Sequence, residues 1–285
     1  MAKDRKITKY NDNNGQNTMT LNVNSRYPAV AGSFYPGNTS ELDSSVQDYL
    51  DQVEQGQCQS KPLALIVPHA GYIYSGPIAA SGYKQLIPYA QDINRVVLFG
   101  PSHRVPLMGI ASSSADTFVT PLGEIPLDRE TIKRVNQLPF VEQYDEAHQL
   151  EHSLEVQLPF LQKILPEFTL VPLVIGQVND QQVSEVIETL WQDENTLFLI
   201  SSDLSHYLTY EQARKCDQAT CQAIEEFQPQ NINYEQACGR SGIAGLLLSA
   251  QKHHLHVQRL DLRNSGDTAG DKDRVVGYGC WAFTK

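Results

Sequence analysis

The sequence predicts an α/β fold in a single domain, with a central mixed β-sheet and helices on both faces. Three observations carry this. Short apolar runs at 63–67, 95–100, 168–175 and 196–200 have the length and β-branched content of buried strands. Segments of helical period lie between them. No stretch has the composition of a domain linker, and no internal repeat occurs.

Residues 1–25 are rich in Asn, Thr, Lys and Asp and nearly without apolar content, which predicts a disordered tail before a domain at 26–285. Arg26 to Pro36 is aromatic and punctuated by Gly and Pro. It reads either as a strap over the body or as an ordinary packed segment. Leu42, Val46, Leu50 and Val53 fall at helical spacing in 39–55, with Ser40 as the cap and Asp43 in the first turn.

The strand ending at Val67 precedes a small-residue helix at 75–86, able to lie close on the sheet. After the strand 95–100, residues 109–112 form a short strand. Residues 118–127, with Pro and Gly, form a hairpin or loop, and 128–136 a helix capped by Asp128. A helix at 151–165, a strand at 168–175 and a helix at 180–191 behind Asn179 follow. Beyond the strand 196–200 come a long amphipathic helix at 209–227, a turn at 233–237 and an apolar helix at 242–252. An alternating segment at 256–262 and a final strand at 274–283 close the chain.

The formal charge of −11 and the absence of a basic run argue against nucleic acid or an anionic membrane surface as the main partner. No apolar stretch is long enough to span a bilayer, and the start MAKDRK has no apolar signal core. Five widely spaced cysteines read as reduced thiols, and hence a cytoplasmic location.

The chemistry concentrates just past the strand ends, where open α/β sheets place their ligand crevices. His69 follows the first strand, His103 the second, and Asp203 with His206 the strand at 196–200. Any one of these is ordinary; three in equivalent positions favour a site. Of the cysteines Cys238 is best placed, before a helix start and beside Gly239 and Arg240, which favour a thiolate and a close backbone approach. In His148–Glu155 the residue His152 either lines the site as a hydrogen-bond donor or acid–base group, or belongs to a solvated acidic helix start. No Gly-x-Ser-x-Gly elbow and no phosphate-binding glycine loop is present, which weakens a serine-hydrolase reading of Ser201, Asp203 and His206.

Pro68-His69-Ala70-Gly71-Tyr72, Gly100-Pro101-Ser102-His103, Glu151-His152-Ser153, Ser202-Asp203 with His206, and Cys238-Gly239-Arg240 occur together in order. With Ala31–Tyr35 and Asn264–Asp267, this set resembles the Memo family, in bacteria and archaea the AmmeMemoRadiSam system protein B. The resemblance runs from about residue 26 onward. It implies a fold like that of class III extradiol dioxygenases, with metal positions at His69, His103 and Cys238. His206 would line the same pocket, Asp203 and His152 would be close neighbours, and His206 and His152 would handle protons. The dioxygenases have a carboxylate where Cys238 stands, so kinship of fold does not carry ring cleavage with it. Gly242 stands where relatives often have proline.

Two functions follow as expectations. One is a metal-dependent redox enzyme, dioxygenase-like, holding a divalent ion (iron favoured, copper or zinc as alternatives) and acting on a small aromatic or peptide-borne substrate. The other is a non-enzymatic metal- or peptide-binding module working with radical-SAM and AMMECR-type partner proteins.

Overall fold

The computed structural model describes residues 24–193 and 195–285, and the backbone of two short paired strands, β1 (Thr8–Asn11) and β2 (Asn17–Thr20). The expectation of a disordered tail falls mostly outside the described residues. In chain order there follow β3 (Ser25–Arg26), α1 (Thr39–Asp51), β4 (Ala64–Val67), α2 (Tyr72–Leu86), β5 (Arg95–Pro101), β6 (Ile110–Ser112), β7 (Thr117–Thr120), β8 (Gly123–Pro126) and α3 (Arg129–Val135). Then come β9 (Val141–Gln143), α4 (Glu146–Gln149), α5 (Leu158–Ile164), β10 (Thr169–Ile175), α6 (Asp180–Leu190), β11 (Thr196–Ser201) and β12 (His206–Leu208). The last elements are α7 (Tyr210–Glu225), α8 (Arg240–Lys252), β13 (His256–Asn264) and β14 (Val275–Thr284).

The sheet is mixed, as expected. Its centre is four parallel strands in the order β4-β11-β5-β10, flanked by antiparallel β14 beside β4 and antiparallel β6 beside β10. β11 comes late in the chain yet lies between β4 and β5. The crevice above that junction is where a doubly wound sheet leaves room for a ligand. β14 pairs β4 through Trp281–Phe283 and β12 through Val275 and Val276, so β12 extends the sheet past the carboxyl end of β4.

Register fixes which helices cover which face. Leu65 pairs with Leu199 and Ile66 with Ile200, so these pairs point to opposite sides. A Cβ on Gly82 of α2 would meet Cys280, Val67 and Leu65, whereas one on Gly242 of α8 would meet Ile200 and Ile175. α2 and α8 therefore lie on opposite faces. Every side chain of Ala64–Val67 and Val96–Phe99 is buried, as a sheet covered on both sides requires.

Two local expectations are corrected. Residues 151–165 are not one helix: Glu155–Gln157 form a 3-10 turn and the α-helix begins at Leu158, with Pro159 in its first turn. The reason lies at Glu151, whose side chain accepts the N–H groups of His152 and Ser153 and so competes with helical bonding there. The solvated acidic helix start is also excluded, because Glu151 is 1 % exposed and Glu155 0 %. His253 stacks on Trp191 at 3.9 Å and bonds Glu188. The 118–127 segment is a hairpin, β7–β8. Among the described residues no helix is long and apolar enough to cross a membrane.

Candidate metal centre

His69, His103 and Asp203 are each the second residue past a parallel strand, after Val67 of β4, Pro101 of β5 and Ser201 of β11. Adjacent parallel strands thus deliver them to one crevice. The donor atoms of His69, His103 and His152 lie within 4.8 Å of one another, the described group of three or more metal-competent side chains that converges in this way. The rings of His69 and His103 are 5.2 Å apart, and His152 lies 4.7 Å from His103 and 5.6 Å from His69. Cys238 reaches this group through His69: its Sγ is 3.3 Å from His69 Nε2.

Hydrogen bonding fixes the tautomers. The Ser201 hydroxyl donates to the Ser153 carbonyl at 2.5 Å, so its oxygen only accepts from the rest. It accepts from Gln157 Nε2 at 2.7 Å and from His69 Nδ1 at 2.9 Å. His69 therefore carries its proton on Nδ1 and turns the Nε2 lone pair to the site. Gln157 is itself held by Pro68 O and by the Tyr83 hydroxyl, leaving no part of its amide free to swing. Burial lowers the pKa of His69 well below the ordinary value, helped by His103 and His152, so the ring is neutral at pH 7.

Glu151 does the same for His103. Its Oε1 accepts from His103 Nδ1 at 2.9 Å and its Oε2 from the His103 N–H at 2.6 Å. Burial pushes this carboxyl up, but the bonds and charge of His103 and the N–H of Ser153 outweigh it and hold the pKa at about 2. A carboxylate on the far nitrogen of an imidazole is the arrangement that orients metal-binding histidines and raises their basicity. His152 differs. Its Nδ1 lies 3.3 Å from Glu151 Oε1, but the angle is wrong for a hydrogen bond, and this buried nitrogen has no protein partner. Burial lowers its pKa too.

Cys238 sits in the turn before α8, its N–H donating to the Asp203 carbonyl at 3.3 Å. Gly239 makes that approach possible. A Cβ there would fall 2.6 Å from Ser202 Cβ and 2.7 Å from Ser201 O. Arg240 does not favour a thiolate as its sequence position implied. Its guanidinium ion-pairs with Asp180 and lies over the Tyr234 ring. Burial, with Asp203 nearby, pushes the Cys238 thiol up to about 12, so without an ion the sulfur is protonated and donates to His69 Nε2.

Asp203 accepts the His69 N–H at 2.7 Å and is raised above the usual carboxylate range by burial. His206 stands further out, half-buried on β12. Among the described residues its ring makes no hydrogen bond to the others, although its charge acts on Asp203 and His69.

The donor chemistry fits an ion. Two imidazoles have their outer nitrogens fixed and their inner ones turned to the crevice, a third has an orphaned buried nitrogen, and a thiol adjoins them. An ion bound at usual Zn–N and Zn–S lengths with tetrahedral angles would span an N···S edge of roughly 3.6 Å, close to the Cys238–His69 separation. Sequence reasoning missed the supporting layer of Ser201, Gln157, Tyr83 and the buried Glu151. The available signal was polar residues inside apolar runs, such as Gln157 in Val156–Phe160.

The strap 26–35 is tied down beneath the site. Glu155, fully buried, pairs with Arg26 and accepts Ala29 N at 2.7 Å, Val30 N at 3.0 Å and the Tyr35 hydroxyl at 2.6 Å. The Phe34 ring then rests 4.8 Å from His152, and its carbonyl accepts the Tyr72 N–H. On the opposite flank a cavity of about 520 Å³ opens beside His103 and Cys238.

Comparison with known proteins identifies the family. The profile of Memo-like proteins matches residues 26–282. The sequence is 37% identical over 269 residues to a MEMO1 family protein of Aquifex aeolicus, covering 89% of this chain and 97% of that one. It is 34% identical over 266 residues to a MEMO1 family protein of Archaeoglobus fulgidus, with the same coverage. Among solved structures, an uncharacterized protein of Escherichia coli K12 aligns with a TM-score of 0.47 at 12% identity, over 77% of this chain and 99% of that one.

Proposed function

The chain belongs to the family of Memo-like proteins, and from that premise we propose that it is a metalloprotein whose ion is held by His69, His103 and Cys238. The ion is divalent, with iron first and copper and zinc as the other candidates for a mixed nitrogen–thiolate set. One observation carries the reading: the imidazoles of His69, His103 and His152 converge on one crevice, with the outer nitrogens of the first two already committed. When bound, a redox-active ion supplies an electron couple and positions open to a small molecule, and the protein acts as a non-haem oxidoreductase, dioxygenase-like. Ser201 and Glu151 orient the two histidines. Asp203 draws the His69 backbone into place. His152, with its unpartnered Nδ1, and His206 at the rim accept and return protons to whatever is bound.

A second reading, a metal-binding module that docks radical-SAM and AMMECR-type partners or a peptide, is favoured by a different feature. Tyr27, Ile73, Met108, Leu150, Tyr207 and Tyr234 are exposed large hydrophobics in segments that carry or flank the site residues.

Elemental analysis of protein purified without oxygen tests the first reading, beside His69→Ala, Cys238→Ser and His152→Ala. Near-stoichiometric metal in the parent, lost in the first two variants and kept in the third, is the expected result. Equal trace metal in all four would sink it, and loss in His152→Ala with retention in Cys238→Ser would replace the thiolate by the third histidine.

A further inference from the structure

The cavity beside His103 and Cys238 is lined on its floor by Phe99, Ile175 and Ile200 and nearer its mouth by Leu107 and Val178. No Asp, Glu, Lys or Arg lines it. Its hydroxyls are spent within the protein. Ser102 donates to Val105 O at 2.6 Å, Tyr234 and Ser241 bond each other at 2.8 Å, and Ser201 is fully engaged. Of the polar side chains left on its walls, Gln177 is exposed to solvent, while His103 and Cys238 both adjoin His69 and mark the end of the cavity next to it. The space depends on Gly242 in the first turn of α8, where a Cβ would sit 3.0 Å from Ile200 Cγ2 and 3.3 Å from Ile175 Cδ1.

We propose that this cavity binds a small uncharged molecule, its apolar body on Ile175, Ile200 and Gly242 and one polar group directed at the His103–Cys238 end. A volume near 520 Å³ is that of ordinary small-molecule sites, which are mostly apolar with a few placed polar groups. A charge on the body, away from the ion, would lose its hydration with no side-chain counter-charge along these walls to replace it. This inference rests on the metal reading, because it gives the molecule's polar end a place beside the ion.

Calorimetric titration with 2-naphthol tests it, beside two congeners that keep the hydroxyl and carry a charge on the far ring, the anionic 6-hydroxynaphthalene-2-sulfonate and the cationic 6-aminomethyl-2-naphthol. The neutral probe binds, and each charged congener binds at least about tenfold more weakly, the scale of a modest desolvation difference. Gly242→Leu, which fills the floor, and Val178→Trp, which fills the mouth from a half-buried position, each weaken the probe by a similar factor with metal content unchanged. If Gly242→Leu does not fold, as judged by circular dichroism, Val178→Trp decides. Equal binding of the charged congeners, or parental binding in the folded variants, overturns the proposal. Retention of metal without probe binding overturns the cavity inference alone. Probe binding that persists in metal-free His69→Ala upholds the cavity and detaches it from the metal reading.

Discussion

The sulfur of Cys238 lies 3.3 Å from Nε2 of His69, and of the two it is the thiol that donates, because Nδ1 of the ring already holds its proton against Ser201. An ion entering between them must displace that thiol proton. With the thiol pushed up to about 12, metal affinity rises by about tenfold per pH unit between pH 7 and 9, one proton leaving per ion. Cys238→Ser flattens the slope. Competition titrations against a chelator across that range measure it, and a flat parental profile would remove Cys238 from the ligand set.

Glu151→Gln keeps the shape of the side chain and removes the charge that holds His103. Metal affinity falls by about 10–100-fold, the usual effect of losing such a supporting carboxylate. Stability changes with a defined sign. A carboxyl held at about 2 in the fold and near 4.5 outside it contributes stability that is present above pH 4.5 and lost as pH falls toward 2. The acid-side drop in Tm over that window is shallower in Glu151→Gln than in the parent.

Arg26 and Glu155 form a buried ion pair, and Glu155 has three further donors. Removing the cation alone leaves a buried carboxylate, so Arg26→Met destabilises by about 3 kcal/mol or more. The double variant Arg26→Met/Glu155→Gln recovers part of that. Urea unfolding reads both, and an additive double variant would show that the two groups are not coupled.

Asp217 is 2 % exposed, accepts the Ser205 N–H at 3.0 Å and, among the described residues, pairs with no Arg or Lys. Burial raises it to about 6, against an ordinary 3.8. Its folded form is therefore penalised as pH rises from about 4 through 6. Asp217→Asn keeps the Ser205 bond and stabilises the protein at pH 7.5 by about 2–3 kcal/mol, with no gain below pH 4. Equal stability of the two proteins at pH 7.5 would mean the carboxylate is better solvated than its burial implies.

The sheet and the positions of His69, His103 and Asp203 were legible in the sequence because continuous apolar runs mark buried parallel strands, and the break in each run marks its carboxyl end. The order β4-β11-β5-β10 was not, since pairing partners are chosen by contacts distant in sequence. Short edge strands such as Val141–Gln143 and His206–Leu208 escaped because they bury little of their own surface. At the site, Glu151 was visible as a residue and misjudged as a setting. An acidic residue before an apolar run looks like a solvated helix start, and only the fold shows it closed over by His103, His152 and Ser153. Arg240 was misjudged for the same reason, its partner Asp180 lying 60 residues away.

His69 and Cys238 are separated by 169 positions. On a ribosome the imidazole emerges long before the thiol does, and β11, the strand that must slot between β4 and β5, also comes late. No early folded fragment can offer the two together. On the proposed ligand set, the complete site exists only once the turn before α8 has been made, so an ion held by both residues is bound by a nearly complete chain.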